Sequence, residues 1–349
     1  PMMDWTDRHY RYFMRAISSR AVLYTEMIPS SAIIHGDRQR FLDFHTNEHP
    51  LVLQLGGSDP AELAECCRLA RQAGYDEVNL NVGCPSNKVQ RGRFGARLML
   101  EPGLVAQCIT AMQDASPLPV SVKCRAGLLH HDSDQFLTDF VGPVQAAGCK
   151  RFIIHARIAV LEGLSPKANR AVPPLQYDRV ERLKKSFPHL ALELNGGLVD
   201  WAAATRAAVA LDGIMLGRAA YENPWLFHQA DAVWAACNQT KGPDASGDNA
   251  DPNQSESGPG PGRPGACHNR AELLERMVIY MDRLSGDGLP MHAVTRHMLG
   301  LFHECPGARY WRRVLSDPQA RSSAKSPGQL FQRASARIPA EILLAGDLD

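Results

Sequence analysis

The chain has 349 residues, 44% of them hydrophobic, with a formal net charge of +1. That is room for one large α/β domain and a smaller second one, and no apolar run approaches a membrane span. Nine scattered cysteines without a C-x-x-C pair or a metal spacing with histidine exclude a disulfide framework and a zinc site, and read as reduced cytosolic thiols, mostly small core residues.

The chain opens on Pro1-Met-Met-Asp-Trp-Thr-Asp-Arg8, with no initiator methionine at position 1 and no secretory signal, so the natural start is expected to be missing or trimmed. From about residue 20 to 220, short β-rich runs alternate with amphipathic stretches. Strands are expected near 21–26, 51–55, 77–81, 119–124, 151–155, 190–194 and 212–216. Helices are expected over 60–73, 103–115, 133–147, 175–187 and 199–209. Leu63, Cys67 and Ala70 share a face of the first of these, Gly74 and Gly148 act as stops, and Asp200 serves as an N-cap. A spacing of roughly 20–40 residues between strand runs fits a βα repeat. Seven runs plus a remnant at Pro1-Met-Met3 make eight, and no G-x-G-x-x-G follows an early strand. The fold class is therefore α/β, a (β/α)8 TIM barrel over residues 1–237, with a C-terminal all-helical domain.

Residues 238–270 are rich in Gly, Pro, Ser, Asn and Asp and read as a disordered linker or insertion with little to bury. Helical periodicity returns beyond it, at Leu273, Leu274, Met277, Met281 and Leu284, then at Val294, Met298, Leu301 and Phe302, giving a small helical domain over 271–349. Between 296 and 337 lie Arg296, Arg309, Arg312, Arg313, Arg321, Lys325, Arg333 and Arg337, against Glu304 and Asp317, with Tyr310 and Trp311 interleaved. Such a cluster either grips a polyanion or is a solvated helix face.

Candidate chemistry sits at the ends of the strand runs. Asn81-Val-Gly-Cys84-Pro85-Ser86 puts a thiol at the C-terminal end of a strand, just before a proline that stops regular structure, and Arg91-Gly-Arg-Phe-Gly95 follows as a glycine-rich loop. Cys84 can be a nucleophile or a proton donor, or simply inert. With no His-Asn relay evident, acid/base use is favoured. Gln54, Lys123 and His155 end three other runs. Lys123 follows an enclosed strand, where a buried ammonium needs an anion or an electron-rich ligand. With Arg125, His155 and Arg157 it forms a positive rim suited to stabilising a reduced flavin. Asn195-Gly196-Gly197 and Gly217-Arg218 end strands seven and eight, the usual place for a ligand phosphate in such barrels. Backbone N–H groups and the Arg218 fork would hold it, or the glycines merely turn the chain.

Together these motifs resemble the dihydrouridine synthases, flavin enzymes that reduce uridine in tRNA, over nearly the whole chain. The resemblance rests on Pro1-Met-Met-Asp-Trp-Thr-Asp-Arg8, Asn81-Val-Gly-Cys-Pro-Ser86, Gly92-Arg-Phe-Gly-Ala96, Lys123-Cys-Arg125, His155-Ala-Arg157, Asn195-Gly-Gly197 and Gly217-Arg218. Gly163-Leu-Ser-Pro-Lys-Ala-Asn-Arg170 with Pro173-Pro174, and Thr295-Arg-His-Met-Leu-Gly-Leu-Phe302, are similar to the A-type branch, which acts at uridines 20 and 20a of the D-loop. It implies a barrel holding FMN, NADPH as reductant, and a helical domain that grips tRNA. Cys84 would protonate carbon 5 of uracil. Gln54, Lys123 and His155 would contact the isoalloxazine or ribityl chain, with Pro1, Met2 and Met3 under the ring. Asn195, Gly196, Gly197, Gly217 and Arg218 would hold the phosphate. Asn81, Arg157, Lys167, Asn169 and Arg170 would face a flipped uridine, and Arg296, Arg309, Arg312 and Arg313 would contact tRNA phosphates. No metal is implied, and a cytoplasmic monomer is expected.

Four rim positions depart from the A-type pattern: Leu129 and His130 replace two Asp, Ile158 a Lys, and Val160 an aromatic. The linker is longer than the family needs, and no strand leads into Pro1. Three other readings stay open on the residues alone: an FMN barrel acting on a free pyrimidine, a tRNA-binding protein without catalysis, and an isomerase barrel. The basic tail and the Ser165–Arg170 loop argue against the first, Cys84 and Lys123 against the second. The third leaves Cys84 and the basic rim unexplained.

Overall fold

A computed structural model describes residues 1–207, 209–240, 265–286 and 288–346. Seven parallel strands, β1 (Leu23–Pro29), β2 (Leu51–Gly56), β3 (Glu77–Val82), β4 (Val120–Arg125), β5 (Arg151–His155), β6 (Ala191–Asn195) and β7 (Gly213–Met215), lie in chain order in one sheet. Helices such as Pro60–Ala73, Pro102–Ala115 and Asp134–Ala146 return the chain between strands, the β/α-barrel arrangement expected. β2 and β3 are buried at every position, so both faces of the sheet are covered.

Local chemistry sets the boundaries. The Asp59 carboxylate accepts from Ala61 and Glu62 N–H groups to start helix Pro60–Ala73, and Gly74 ends it at φ +94°. Gly148 stops the helix before β5 at φ +101°, and Asp200 caps helix Trp201–Ala207 through Ala203 N–H. Leu63, Cys67 and Ala70 are wholly buried, and the cysteines described are free thiols. The inner face of the sheet is partly polar. Glu77 accepts from Ser121 and Arg151, Asn79 Nδ2 donates to Ser121 Oγ (2.9 Å), and Gln54 Nε2 donates to Asn79 Oδ1 (2.7 Å).

The eighth strand expected at Pro1-Met-Met3 is not formed. Met2 N–H donates to Thr6 Oγ1, and the Met2 carbonyl accepts from Trp5 and Thr6, so the segment closes into a turn before it can pair with the sheet. Helix Arg8–Ile17, which is not among the helices expected above although Tyr10, Phe13, Met14 and Ile17 form an apolar stripe at helical spacing, follows directly. Its buried polar residues are each engaged: Arg11 with the fully buried Glu48 at 2.6 Å, and Arg15 with the carbonyls of Ser18, Ala21 and Glu48.

Past the expected linker, of which residues 241–264 lie outside those described, Cys267 is buried and its N–H donates to the Ala16 carbonyl at 2.8 Å. Helices Arg270–Gly286, Ala308–Ser316 and Pro327–Ser335 enclose Trp311, which packs edge-on against Phe302 at 4.9 Å. Tyr280 stacks on Tyr12 at 3.8 Å and its hydroxyl reaches His9 Nδ1 at 2.8 Å, seating this helical region on helix Arg8–Ile17. Among the described residues no helix is long and apolar enough to cross a membrane.

Candidate active site

The C-terminal ends of the strands share one mouth. At β3, Asn81 Oδ1 accepts from the N–H groups of Gly83 (3.1 Å) and Cys84 (3.0 Å), turning the chain so that Cys84 stops at the rim, partly exposed. The glycine-rich loop folds back on it: Ala96 N–H donates to the Cys84 carbonyl at 2.9 Å. Gly95 (φ +75°) lies so close that a Cβ there would stand 2.5 Å from that oxygen.

Register brings the cations together. Asn81 pairs with Lys123 across β3–β4, and Arg125, His155, Asn195 and Met215 align across β4 to β7. Lys123 Nζ donates to Asn195 Oδ1 at 2.9 Å, and Asn195 Nδ2 donates to the Met215 carbonyl at 2.7 Å. Burial, with Arg125 nearby, pulls the Lys123 ammonium down to about 8, against the smaller opposite pull of Cys124, Cys84 and Glu193. Burial likewise draws Arg125 down to about 10, assisted by Arg170 and Arg157. His155 falls well below its ordinary value through burial and the fields of Arg125, Lys123, Arg157 and Arg218, so it is neutral at pH 7. No carboxylate among the described residues forms an ion pair with Lys123, Arg125, Arg157, Arg170 or Arg218.

These groups fit an anionic, hydrogen-bonding ligand. His155 Nδ1 and Arg157 Nε are buried without a partner, which a complete structure rarely tolerates. Gly196 (φ +108°) and Gly197 (φ +71°) make a cradle that side chains would fill. A Cβ at Gly196 would lie 3.1 Å from the His155 ring, and one at Gly197 would lie 2.5 Å from Leu175. The Tyr177 hydroxyl donates to the Gly196 carbonyl at 2.6 Å and fixes this turn. Across the mouth, Gly217 precedes helix Arg218–Glu222, and the exposed Arg218 donates to the Arg170 carbonyl at 3.2 Å. Met2 sulfur lies 3.7 Å from where a Gly217 Cβ would be, and Pro1 is within the electrostatic range of Lys123, whereas Met3 is exposed. A phosphate-bearing flavin suits this donor set. No group of three or more metal-ligating side chains occurs among the described residues.

A profile of the family described as dihydrouridine synthase (Dus) matches residues 1–337. The chain belongs to that family. It is 49% identical over 324 residues to the tRNA-dihydrouridine(20/20a) synthase of Shewanella oneidensis, covering 93% of this chain and 89% of that one. It is 52% identical over 316 residues to the enzyme of the same name from Pseudomonas syringae pv. tomato (90% and 86%), and 46% identical over 346 residues to that of Vibrio parahaemolyticus (98% and 96%). Among solved structures, a 2-naphthoyl-CoA reductase in complex with 2-naphthoyl-CoA aligns with a TM-score of 0.50 at 10% identity. The alignment covers 64% of this chain and 46% of that one, and shows a shared fold.

As an oxidoreductase of the dihydrouridine synthase family, the chain places several expected site residues differently from the sequence reading. Gln54 is wholly buried and its amide is spoken for: Nε2 on Asn79, Oε1 accepting from Asn81 Nδ2 at 2.9 Å. Asn169 is also wholly buried; its Oδ1 accepts from Val160 N–H at 2.7 Å and its Nδ2 donates to the Val160 carbonyl at 2.9 Å, so it staples the loop instead of facing a ligand. Lys167 and Arg170 on that loop are exposed. Arg296 is bound to Asp7 and Trp311 is core, whereas Arg309, Arg312 and Arg313 are exposed, with Arg313 and Arg337 over the Tyr310 ring. Arg321 and Arg333 donate to the carbonyls of Leu315 and Ala320. Of the four departures, Ile158 and Val160 line the stapled loop, and His130 (φ +71°) sits in a tight turn closed between Leu128 and His131. Leu129 is 45% exposed at the rim. The sequence underrates Arg125, which braces two loops by donating to the carbonyls of Gly83 and Asn169 (both 3.0 Å), and gives no sign of Tyr177, whose partner is a carbonyl.

Proposed function

We propose that this chain reduces uridine to 5,6-dihydrouridine in tRNA, at positions 20 and 20a of the D-loop, with FMN as its resident cofactor and NADPH as reductant. The observation that carries this reading is the set of carboxylate-free cations converging on one barrel mouth with Cys84 beside them. Cys84 lies near enough to influence Lys123, Arg125 and Arg170. The names of the relatives support the substrate.

In this reading Asn195, Gly196, Gly197, Gly217 and Arg218 hold the FMN phosphate. Lys123 and the open Nδ1 of His155 meet the ring or ribityl chain, with Gln54 beneath them, and Pro1, Met2 and Met3 cover the other side. A bound FMN, reduced by NADPH, would supply the hydride for carbon 6 of the uracil. Cys84 gives its proton to carbon 5, and the resulting thiolate, surrounded by Lys123, Arg125 and Arg170, is stabilised until water returns the proton. Asn81, Arg157, Lys167 and Arg170 orient the base, with Asn169 keeping their loop in shape. The base is flipped because carbons 5 and 6 are stacked within folded tRNA. Residues 1–237 form the catalytic barrel and 271–349 the tRNA-gripping domain, joined by 238–270. Arg309, Arg312 and Arg313 make its phosphate contacts, while Arg296 serves docking. We place the protein in the cytoplasm as a monomer.

The test is direct. The purified chain should bind FMN with a flavin absorbance spectrum and be bleached by NADPH under anaerobic conditions. Added unmodified tRNA should then restore the colour, with mass spectrometry finding dihydrouridine at 20 and 20a. A protein that takes up no FMN, or whose reduced flavin ignores tRNA but is reoxidised by free uracil, would overturn the reading.

A further inference from the structure

The motif Thr295-Arg-His-Met-Leu-Gly-Leu-Phe302 has no part in the chemistry above, yet the side chain of His297 is wholly buried and bonded at both nitrogens. Nε2 lies 3.0 Å from the Asp7 carboxylate, and Nδ1 lies 3.1 Å from the Tyr221 hydroxyl. Burial lowers the histidine's pKa, against the smaller opposite pull of Asp7; Nε2–H donates to Asp7, which leaves Nδ1 of the neutral ring to accept from the Tyr221 hydroxyl, whose other acceptor is the Arg296 carbonyl at 3.5 Å.

Both partners belong to segments that end at the mouth. Tyr221 lies in helix Arg218–Glu222, one turn beyond Gly217–Arg218. Asp7 closes the turn that starts at Met2 and caps helix Arg8–Ile17 by accepting from the N–H groups of His9 and Tyr10 (3.0 Å each). The two segments also touch each other, Trp5 stacking on Tyr221 at 4.3 Å. Three residues after His297, a Cβ at Gly300 would stand 2.4 Å from the Glu222 carbonyl, so the helical region sits directly on the backbone of that short helix. The helical region therefore clamps the two segments from behind.

We propose that His297 is a positioning residue that holds helix Arg218–Glu222 and the Met2–Asp7 turn in one arrangement, so that the seating of the helical region sets the affinity of the β7 end for the FMN phosphate. This rests on the reading of Gly217–Arg218 as part of the phosphate site. The route runs through Tyr221, because its helix starts at Arg218, and Asp7 orients the imidazole for that contact.

The experiment titrates FMN into the flavin-stripped full chain by fluorescence, comparing wild type with His297→Ala, His297→Asn, His297→Gln, Tyr221→Phe and Arg218→Ala. His297→Ala should weaken FMN binding roughly 5–10-fold, the scale of the one neutral hydrogen bond to Tyr221. Asn, whose carbonyl can stand where Nδ1 was and accept from Tyr221, should recover most of that loss. Gln, which reaches only towards Asp7, should recover little, and Tyr221→Phe should match Gln. A general loss of stability would not distinguish Asn from Gln, so equal rescue, or no rescue by either, overturns the proposal. So does FMN affinity within twofold of wild type in His297→Ala. If His297→Ala does not fold, Tyr221→Phe decides, since it removes one hydroxyl and keeps the Trp5 stack; wild-type affinity there overturns it. If Arg218→Ala weakens FMN binding while the His297 and Tyr221 variants do not, the coupling alone falls. If wild type binds no FMN, or Arg218→Ala binds it like wild type, the phosphate-site reading falls and the coupling falls with it.

Discussion

Both ends of this molecule are rich in arginine and lysine, but the two sets live under different physics. At the barrel mouth, burial pulls Lys123 to about 8 and Arg125 to about 10, and no carboxylate pairs with either among the described residues. On the helical region, Arg309, Arg312 and Arg313 are exposed. A buried cation without a counter-ion carries a desolvation penalty of several kcal/mol, which a fold retains when a ligand or a polarisable neighbour offsets it. An exposed cation carries almost none, and contributes through its long-range field. The mouth is thus shaped for one anion of fixed geometry, and the tail for a polyanion met at many points.

The sharpest break of this contrast uses Cys84, the thiol among the mouth cations. Cys84→Ala should leave FMN binding and reduction by NADPH intact, and slow reoxidation by tRNA roughly 10²–10⁴-fold, the range for loss of a general acid. Stopped-flow absorbance separates the two half-reactions. If reduction by NADPH is lost instead, the thiol serves the flavin half-reaction and its role as proton donor is wrong.

Arg218 comes next in size. It stands at the mouth yet is exposed, so it tests whether geometry or burial decides the fit. Arg218→Ala removes a charge-assisted donor pair, which should weaken FMN binding by roughly 1.5–3 kcal/mol, or about 10–150-fold. Fluorimetric titration showing wild-type affinity would leave Gly196 and Gly197 as the whole phosphate site.

Lys123 gives the mouth a pH signature that the tail lacks. Its pKa in the ligand-free protein lies near 8, below the ordinary 10.5. An anionic or electron-rich ligand binds the protonated form better, so FMN affinity should be highest below pH 8. It should fall as pH rises through that value, by up to about tenfold per pH unit for one linked proton. Lys123→Met should flatten the profile at the weaker level. Stability of the ligand-free protein moves the other way: the folded state holds this proton less tightly than the unfolded chain, so the penalty is full below pH 8 and fades towards 10.5. A flat affinity profile in wild type between pH 7 and 9 would place Lys123 out of contact with the ligand.

The sequence carried the mouth better than it carried the tail, for a physical reason. Parallel strands buried on both faces read as apolar runs, so a polar residue at the end of each, such as Lys123, His155 or Asn195, stands out. Register then aligns those ends without further information. Arg296 and Trp311 mislead because periodicity does not say whether a residue meets another element. The partner of Arg296 is Asp7, 289 positions away in the chain. Helix Arg8–Ile17 carries a legible stripe in Tyr10, Phe13, Met14 and Ile17, but what the sequence does not show is that Arg11 and Arg15 on the same helix are buried too, because their partners (Glu48 and the carbonyls of neighbouring loops) come from elsewhere in the chain. The staple at Asn169 resembles a substrate contact for the same reason: a loop asparagine of a recognised motif gives no sign that its amide is already bonded.

The smallest single effects belong to the tail, and there Arg296 supplies the control. If Arg309, Arg312 and Arg313 touch tRNA phosphates, each Ala substitution should weaken binding to all tRNAs alike and flatten the log–log salt slope by roughly 0.7–0.9 for each phosphate left without its cation. FMN content and oxidation of NADPH by oxygen should not change, because these side chains lie outside the mouth. Arg296→Ala should behave differently. Its guanidinium is bound to Asp7 at the seam between the helical region and helix Arg8–Ile17, so its loss should lower thermal stability with little change in salt slope. Binding curves at three salt concentrations, alongside melting curves, separate the two kinds of arginine. If Arg309, Arg312 and Arg313 leave the slope unchanged, the exposed tail is a solvated surface, and recognition of tRNA falls to the rim residues Lys167 and Arg170. If Arg296 flattens the slope as the others do, its bond to Asp7 opens when tRNA arrives, and the distinction between docking and phosphate contact disappears at that position.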